Sequence, residues 1–399
     1  MYEGDYLNKV AFPLGGIGAG MVCIEGTGAL SHVSVWHKPQ VYNEPQVFAA
    51  ICVKGVKNIA RVLEGPVPAW KAFGGKDTGN GAPGKTWGLP RFKAAVFGTR
   101  FPFAHITLED KALPLAVEIT GWSPFIPGNA DDSSLPVAAI EYTFTNHSNA
   151  TVDAVFSWNS ANFMQTARNT GAVREVAGGF VLSQPPTPEK PWEEGYFAVV
   201  TDAAGALANC SWFRGGWWDP FTVAWKNVVD GACFAAPAPV EGGPSPGATI
   251  FVPLSLPLGA SKTVNIMLCW YVPRTDQRYG KDPEGQSYAP ACQCSEKTSA
   301  FETYVPWYAK RFLRIEDIAA YWRANYCRLR DESKRFSECF YDTTLPPEVI
   351  EAVAANLAIL KSPTVLRQAD GRLWAWEGCH DDSGCCHGTC THVWNYAQA

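Results

Sequence analysis

The chain has 399 residues, which at roughly 100–200 residues per domain predicts two or three domains. Its 38 acidic residues outnumber its 33 basic residues, and the resulting net charge of −5, without any Lys/Arg run, argues against a nucleic-acid partner. With 47% hydrophobic and 18% charged residues, the composition excludes a disordered, collagen-like or coiled-coil chain.

The N-terminal residues and the cysteine content indicate the cellular location of the protein. Met1–Val10 contains Glu3 and Asp5 and has no apolar centre, which is not typical of a secretory signal. The longest apolar stretches, such as Ala248–Leu258, contain proline and fall short of the ~20 residues that a membrane span needs. Thirteen cysteines are too dilute for a disulfide scaffold, and their odd number leaves a free thiol. We therefore predict a cytoplasmic protein without an integral membrane segment.

From about residue 10 to residue 290, short segments of period-two alternation are separated by Gly, Pro, Asn and Asp. Every second side chain of a strand points to the same face, so each segment predicts a strand with one apolar face. Two successive segments, 138–144 and 152–158, are predicted to form a hairpin around the polar turn between them. Repeated strands without a helical period indicate a large antiparallel β-sandwich. The apolar positions that support this are Ala104, Ile106, Leu108, Leu115, Val117, Ile119, Ala138, Ile140, Tyr142, Phe144, Val152, Ala154, Phe156 and Trp158.

Near residue 299 the hydrophobic period changes to that of a helix. Ile318, Trp322, Tyr326 and Leu329 lie at helical spacing. A second helix is predicted after two prolines that suit a first helical turn, with an apolar stripe formed by Val349, Ile350, Val353, Leu357 and Leu360. Strands first and helices second predict separate domains. We expect a β-sandwich domain at 1–298, a helical linker at 299–344 and the start of a helical domain at 345–399. Because the last residues continue an apolar helical pattern, we also expect this polypeptide to be a truncated part of a longer protein.

Two compositional features invite functional interpretations. The run Gly15–Gly20 could suggest a phosphate loop, but such a loop precedes a helix, whereas Met21–Ile24 continues as a strand. A tight turn or a close approach between backbones is the better interpretation. The chain also has 16 tryptophans, several of them crowded between 212 and 225. Each one alone fits a core position, while together they are typical of proteins that stack aromatic rings on sugars.

The segment 370–392 is the richest in residues capable of chemistry. Four cysteines, three histidines and two aspartates between 379 and 392 could ligate zinc, but their spacing matches no standard finger, so we predict no metal or cofactor. A zinc-binding interaction module stays open as an alternative. Glu377 lies between Trp376 and Gly378, and a carboxylate beside an indole could attack an anomeric carbon in a sugar pocket. A solvated surface glutamate is the simpler interpretation of this residue taken alone.

Several sequence blocks, in order along the chain, carry a resemblance to a known family. The chain resembles glycoside hydrolase family 116, which contains β-glucosidases and non-lysosomal glucosylceramidases, over nearly its whole length. The blocks are Phe12–Gly20, Gly28–Leu30, Trp36–Pro39, Phe101–Ala104, Leu113–Pro114, Ser123–Pro127, Asp132–Val137, Ser211–Pro220, Leu345–Pro346 and Asp370–Gly378.

This resemblance implies both a fold and a mechanism. The fold would be an N-terminal sandwich of two antiparallel sheets, joined by linker helices to an (α/α)6 barrel of which this chain holds the first, incomplete part. The mechanism would be retaining, with a carboxylate nucleophile and a second carboxylate as general acid/base ~5–5.5 Å away. Glu377 stands at the position of the family's nucleophile. The acid/base residue is expected beyond Ala399, in a missing C-terminal portion of the barrel.

The expected substrate contacts are Trp376, Thr389 and His392. Of these, Thr389 follows from the resemblance, while His392 could face the pocket or equally pack against a helix. Segment 385–393 departs from the family pattern, because Thr389 is preserved but no aspartate follows it. The leading prediction is a glycosidase of the β-glucosidase or glucosylceramidase type that acts on a β-glycoside without a cofactor. We expect the isolated chain to be inactive, because its acid/base residue is missing. The alternative is a non-catalytic carbohydrate-binding or scaffold β-sandwich.

Overall fold

The computed structural model describes residues 1–73, 85–167, 170–215, 220–276 and 304–376, together with 378, 380 and 383–385. Strands dominate this part of the chain up to Tyr271. They are β1 Tyr2–Glu3, β2 Ala11–Gly15, β3 Met21–Glu25, β4 Leu30–Ser34, β5 Val47–Val53, β6 Ile59–Val62, β7 Ala94–Arg100, β8 Phe103–Glu109, β9 Leu115–Trp122, β10 Val137–Asn146, β11 Val152–Ala161, β12 Ala172–Val176, β13 Gly179–Gln184, β14 Gly195–Val200, β15 Leu207–Asn209, β16 Gly247–Leu256, β17 Ser261–Tyr271, β18 Val365–Arg367 and β19 Leu373–Ala375.

Short helices connect the strands, and longer ones follow them. The α-helices are α1 Ala69–Phe73, α2 Ala130–Ser133, α3 Pro220–Val229, α4 Trp307–Arg311, α5 Ile315–Tyr341 and α6 Pro347–Ile359, with single 3-10 turns at Gly4–Lys9 and Pro191–Glu193. None of the helices in the described ranges is both long and apolar enough to cross a bilayer.

Two large antiparallel sheets form a sandwich, as the alternating segments predict. One has nine strands in the order β1-β7-β8-β9-β10-β17-β14-β13-β12, and the other has five in the order β15-β16-β11-β5-β6. All the predicted apolar strand positions, from Ala104 to Trp158, are buried in one cluster between the two sheets. The mainly-β sandwich is therefore confirmed, whereas the (α/α)6 barrel and the two boundaries between the three predicted regions stay predictions.

The predicted hairpin between 138–144 and 152–158 is wrong. Strand β10 pairs with β9 and β17 in the nine-stranded sheet, while β11 pairs with β5 and β16 in the five-stranded sheet. The turn instead carries the chain from one sheet to the other, where the Asn146 side-chain amide donates to the carbonyl oxygens of Ala150 and Leu256, each at 2.8 Å. The two apolar faces meet across the core, with the Tyr142 and Phe156 rings 5.1 Å apart. The alternation of apolar and polar residues is the same whether two strands pair in one sheet or face each other across the core.

Helix α5 covers the outer face of the nine-stranded sheet. Its predicted stripe is buried there, and the Trp322 and Tyr326 rings each lie 5.2 Å from the Trp122 ring of β9. This cover explains why strands such as β10 and β17 are buried on both faces. Beneath α5, the buried Glu141 carboxylate accepts hydrogen bonds from Tyr326 and from two nitrogens of Arg330, at 2.7–2.8 Å.

Helix α6 departs from its predicted apolar stripe. Ile350 is buried, as expected, and Ala354 is buried beside it, but Val349 and Val353 are 44% and 43% exposed. Among the described residues, this helix has a packed partner on one side only, so spacing alone could not indicate which of its apolar residues face the sandwich.

Candidate functional site

The segment that leads to Glu377 is the hairpin β18–β19. Its turn is closed by the Gly371 N–H, which donates to the Gln368 carbonyl at 2.8 Å, while the Asp370 carboxylate accepts from the Arg372 N–H at 3.0 Å. Asp and Gly favour such turns, because the Asx side chain replaces a backbone acceptor and glycine tolerates the left-handed conformation. The conspicuous Asp370-Gly371 pair therefore has a structural explanation.

Two tryptophans anchor the second strand of this hairpin. Trp374 and Trp376 are 4% and 3% exposed, their rings lie 5.7 Å apart, and they pack in one cluster with Tyr304 and Leu366. The Trp376 N–H also donates to the Thr364 carbonyl at 3.0 Å. The backbone is therefore held firmly up to residue 376.

The structure describes only one of the four predicted site residues. Trp376 is described, and its ring forms part of a buried cluster rather than an open platform. Glu377, Thr389 and His392 lie outside the described residues. Their roles therefore stay predictions.

The glycine-rich run at 15–20 is the surface on which this hairpin docks. It is followed by strand β3, so the interpretation as a structural turn is confirmed and no helix start is available there for a phosphate. The Arg367 N–H donates to the Gly18 carbonyl at 2.9 Å. Gly18 has a φ of 67°, and a Cβ there would lie 2.4 Å from the Arg367 nitrogen. Only glycine permits this approach.

The side chain of Arg367 also holds the hairpin in place. No sequence pattern indicated this residue. Its guanidinium lies 4.1 Å from the centre of the Trp307 ring and 2.9 Å from a carboxylate oxygen of Asp131. An arginine that stacks on an indole and pairs with a carboxylate combines two favourable interactions. The residues that meet here are widely separated in sequence, which is why no local motif revealed the contact.

We expect Gly18→Ala to loosen this docking. The substitution combines a left-handed backbone, which costs alanine about 1–2 kcal/mol, with a clash against backbone atoms of the hairpin. Gly128→Ala is the matched control, because Gly128 has a φ of 84° with nothing within 4 Å of a Cβ. Hydrogen exchange at 365–376 should accelerate in Gly18→Ala and stay unchanged in the control. Equal hydrogen-exchange protection of residues 365–376 in the two variants would contradict the docking of the hairpin on Gly18.

His37 anchors the loop next to this region. Its Nε2 donates to the Val272 carbonyl at 2.9 Å, and its ring stacks on Tyr308 with centroids 5.9 Å apart. The side chain is 1% exposed, and burial lowers the pKa of His37 from 6.5 to about 4, although the bond to Val272 opposes this shift. The neutral imidazole is therefore part of the folded state at neutral pH.

This lowered pKa predicts a pH-dependent stability. The unfolded chain binds a proton at His37 below pH ~6.5, whereas the folded chain does so only below about 4. The stabilisation is thus complete above pH ~6.5 and is lost as pH falls toward 4, by about 2 kcal/mol at pH 5. Urea unfolding of the wild type and of His37→Gln at pH 5 and pH 8 measures it. An equal pH effect in both proteins would contradict the assignment to His37.

No metal site is found among the residues that the structure describes. No group of three or more His, Cys, Asp or Glu side chains there could hold an ion, and most of the proposed zinc ligands at 379–392 lie outside the described ranges. The cysteines described as free thiols are Cys23, Cys52, Cys210, Cys233, Cys269, Cys327, Cys339 and Cys385.

A cavity of about 660 Å³ lies between the N-terminal segment and α6, apart from the hairpin. Its described lining is mostly apolar, and Glu351 is the one carboxylate there. Glycoside hydrolysis requires two carboxylates, so this cavity does not have the lining of a hydrolytic site.

Comparison with known proteins identifies a family for most of the chain. The family model described as "beta-glucosidase 2, glycosyl-hydrolase family 116 N-term" matches residues 11–329. No curated protein matches the sequence.

Solved structures give weaker matches. A putative kojibiose phosphorylase from the human microbiome is 9% identical, with a TM-score of 0.32 and coverage of 67% of this chain and 27% of that one. A polysaccharide lyase is 10% identical, with a TM-score of 0.30 and coverage of 66% and 33%. An α-mannosidase of family GH92 from Bacteroides thetaiotaomicron is 8% identical, with a TM-score of 0.32 and coverage of 92% and 42%. This chain therefore spans less than half the length of each of these three proteins.

Proposed function

We propose that this chain, which belongs to glycosyl-hydrolase family 116 through its N-terminal domain, supplies the sandwich and the nucleophile of a retaining β-glucosidase. The family match over residues 11–329 carries the assignment to a glycosidase family, and the nucleophile, which lies beyond that match, is proposed from the resemblance at Asp370–Gly378. The substrate would be a β-glycoside of the β-glucoside or glucosylceramide type.

In the proposed reaction, the Glu377 carboxylate attacks the anomeric carbon while the bond to the aglycone breaks. A second carboxylate protonates the departing oxygen and then activates the water that releases the sugar. We propose that this second residue belongs to a helical region beyond residue 399. The buried tryptophan pair just before residue 377 supports the proposal, because a nucleophile must be held within about 0.5 Å of its productive position.

The predicted substrate contacts have separate roles in this proposal. Thr389 and His392 would donate hydrogen bonds to sugar hydroxyls. Trp376, whose ring is packed against Trp374, would hold the backbone at the nucleophile. The cytoplasmic location stays a prediction from the cysteine content.

Hydrolysis of 4-nitrophenyl β-D-glucoside tests this function. The assay compares the isolated chain with a polypeptide extended through the proposed helical region. We expect turnover only in the extended form, and we expect Glu377→Gln to abolish it. The control is Glu348→Gln, which replaces an exposed glutamate at the start of α6 and should retain full activity. Sugar binding without turnover in the extended form would favour a non-catalytic binding protein.

A further inference from the structure

A second, smaller cavity lies in the sandwich domain. It has a volume of about 200 Å³ and lies between the segment 36–40 and the turns at 192–193 and 274–276. At ~30 Å³ per water, this volume holds about seven waters. Pockets for drug-sized ligands have volumes of roughly 300–1,000 Å³, so this smaller cavity matches the size of one six-membered sugar ring.

Two indoles contribute to the walls of this cavity. Trp36 and Trp192 both line it. Gly195 leaves room for the Trp36 ring, because a Cβ at residue 195 would lie 2.5 Å from that ring. Indole faces pack well against the apolar C–H face of a pyranose.

The polar lining includes an acceptor that the fold leaves unused. Gln40 lines the cavity, and its Oε1 is buried without a hydrogen-bond partner among the described residues. A buried acceptor without a donor is costly, and a ligand hydroxyl would satisfy it once the Gln40 amide turns toward the cavity. Glu193 is already oriented, since its carboxylate accepts from Thr166 Oγ1 at 3.1 Å and from Lys190 Nζ at 3.0 Å. Its remaining lone pairs can accept from sugar hydroxyls.

The charges around the cavity indicate a neutral ligand. Lys38 and Arg274 contribute two positive charges, and Glu193 and Asp276 contribute two negative ones. Among the described lining residues these charges sum to zero, so those residues give no net attraction for an anion or a cation. They do provide the charge-assisted hydrogen bonds that a neutral polyol accepts and donates.

The wall formed by residues 36–40 is held in an unusual conformation. Within this wall, His37 has a φ of 60°, a left-handed region that non-glycine residues rarely adopt. His32 and Tyr42, which lie outside the wall on either side, have φ values of 51° and 62°. The bond from His37 to Val272 and the stacking on Tyr308 hold this loop in place. Strain of this kind persists where surrounding contacts enforce it and is concentrated at ligand sites.

We propose that this cavity binds one neutral hexopyranose unit. Its floor is connected to the hairpin region, because Thr275 and Tyr304 exchange backbone hydrogen bonds of 3.0 and 3.1 Å and Tyr304 packs 6.0 Å from Trp374. The cavity is thus a sugar site built from the segment 36–40 and the turns at 192–193 and 274–276. The choice of a glucoside as its ligand rests on the proposed function.

Titration of the 399-residue chain with methyl β-D-glucopyranoside, followed by saturation-transfer NMR, tests this proposal. We expect millimolar binding, as is usual for a ligand of about twelve heavy atoms. Gln40→Leu, which keeps the side-chain volume but removes the acceptor, should weaken binding about fivefold. Trp192→Ala should weaken it about tenfold. Trp70→Ala removes a 47% exposed tryptophan elsewhere and should leave binding unchanged.

Absence of binding, binding that both cavity variants retain in full, or displacement of the glucoside by inorganic phosphate would each overturn the proposal. Circular dichroism of the two variants distinguishes loss of binding from loss of folding, and Gln40→Leu is the less disruptive change. The measurement needs no turnover, so its result does not depend on which residue is the nucleophile. Failure of this site and failure of the nucleophile assignment therefore give different results.

Discussion

Replacement of Glu377 by alanine is expected to reduce hydrolysis of 2,4-dinitrophenyl β-D-glucoside by about a thousandfold or more, and azide is expected to restore it. A missing nucleophile removes the covalent step itself, and losses of at least this size follow removal of such groups. The dinitrophenolate leaving group departs without protonation, so the reaction depends only on attack at the anomeric carbon. Azide can occupy the space left by the carboxylate and attack from the same face.

The configuration of the azide product identifies the role of residue 377. Attack from the nucleophile's face inverts a β-glucoside once and gives α-glucosyl azide. If residue 377 were the general acid/base instead, azide would attack the covalent intermediate and give β-glucosyl azide. The assay uses the polypeptide extended through the helical region, with Glu348→Ala as the control. A β-configured product, or full activity in Glu377→Ala without azide, would contradict the nucleophile assignment.

Replacement of Arg330 by methionine is expected to lower the free energy of unfolding by about 3 kcal/mol. The Glu141 carboxylate is 7% exposed and receives two bonds from Arg330, at 2.7 and 2.8 Å. Removal of one partner of a buried ion pair costs about 3–5 kcal/mol, because the other charge stays buried without compensation. Trp122 and Tyr326 still donate to Glu141 at 2.9 and 2.7 Å, which places the expected loss at the lower end.

Urea unfolding at pH 7 measures this loss. Arg335→Met is the matched control on the same helix, since Arg335 is exposed and its replacement should change stability by less than about 0.5 kcal/mol. Adding Glu141→Gln to Arg330→Met should recover part of the loss, because a neutral amide tolerates burial better than an unpaired carboxylate. A loss below about 1 kcal/mol for Arg330→Met would contradict a stabilising role for its ion pair with Glu141.

Sequence patterns predicted which strand faces are buried but not which strands are neighbours. The alternation at 104–108 and 115–119 matches β8 and β9, which do pair, with Ile106 opposite Ile119. The same pattern at 138–144 and 152–158 belongs to strands in different sheets. In both cases every second residue lies in the core. Which strands pair depends on contacts with residues that are distant in sequence.

A similar limit applies to the candidate site. The glycine run was correctly interpreted as a structural feature, because the strand after it is visible in the local pattern. No local pattern indicated that Arg367 contacts this run, because the two are about 350 positions apart in sequence. The cavity beside Gln40 is likewise assembled from four segments that are distant in sequence. Glu377 came from the resemblance to a family, because a lone glutamate has no periodicity that marks a nucleophile.

Covalent trapping tests the nucleophile assignment most directly. The extended polypeptide is treated with 2-deoxy-2-fluoro-β-D-glucosyl fluoride, whose fluoride leaves without an acid while the 2-fluorine slows release of the bound sugar. Mass spectrometry of the digested protein then locates the added fluoroglucosyl group. The proposed mechanism requires this group on Glu377 and nowhere else. A label on a different carboxylate would contradict the mechanism, as would hydrolysis that inverts the anomeric configuration without any label.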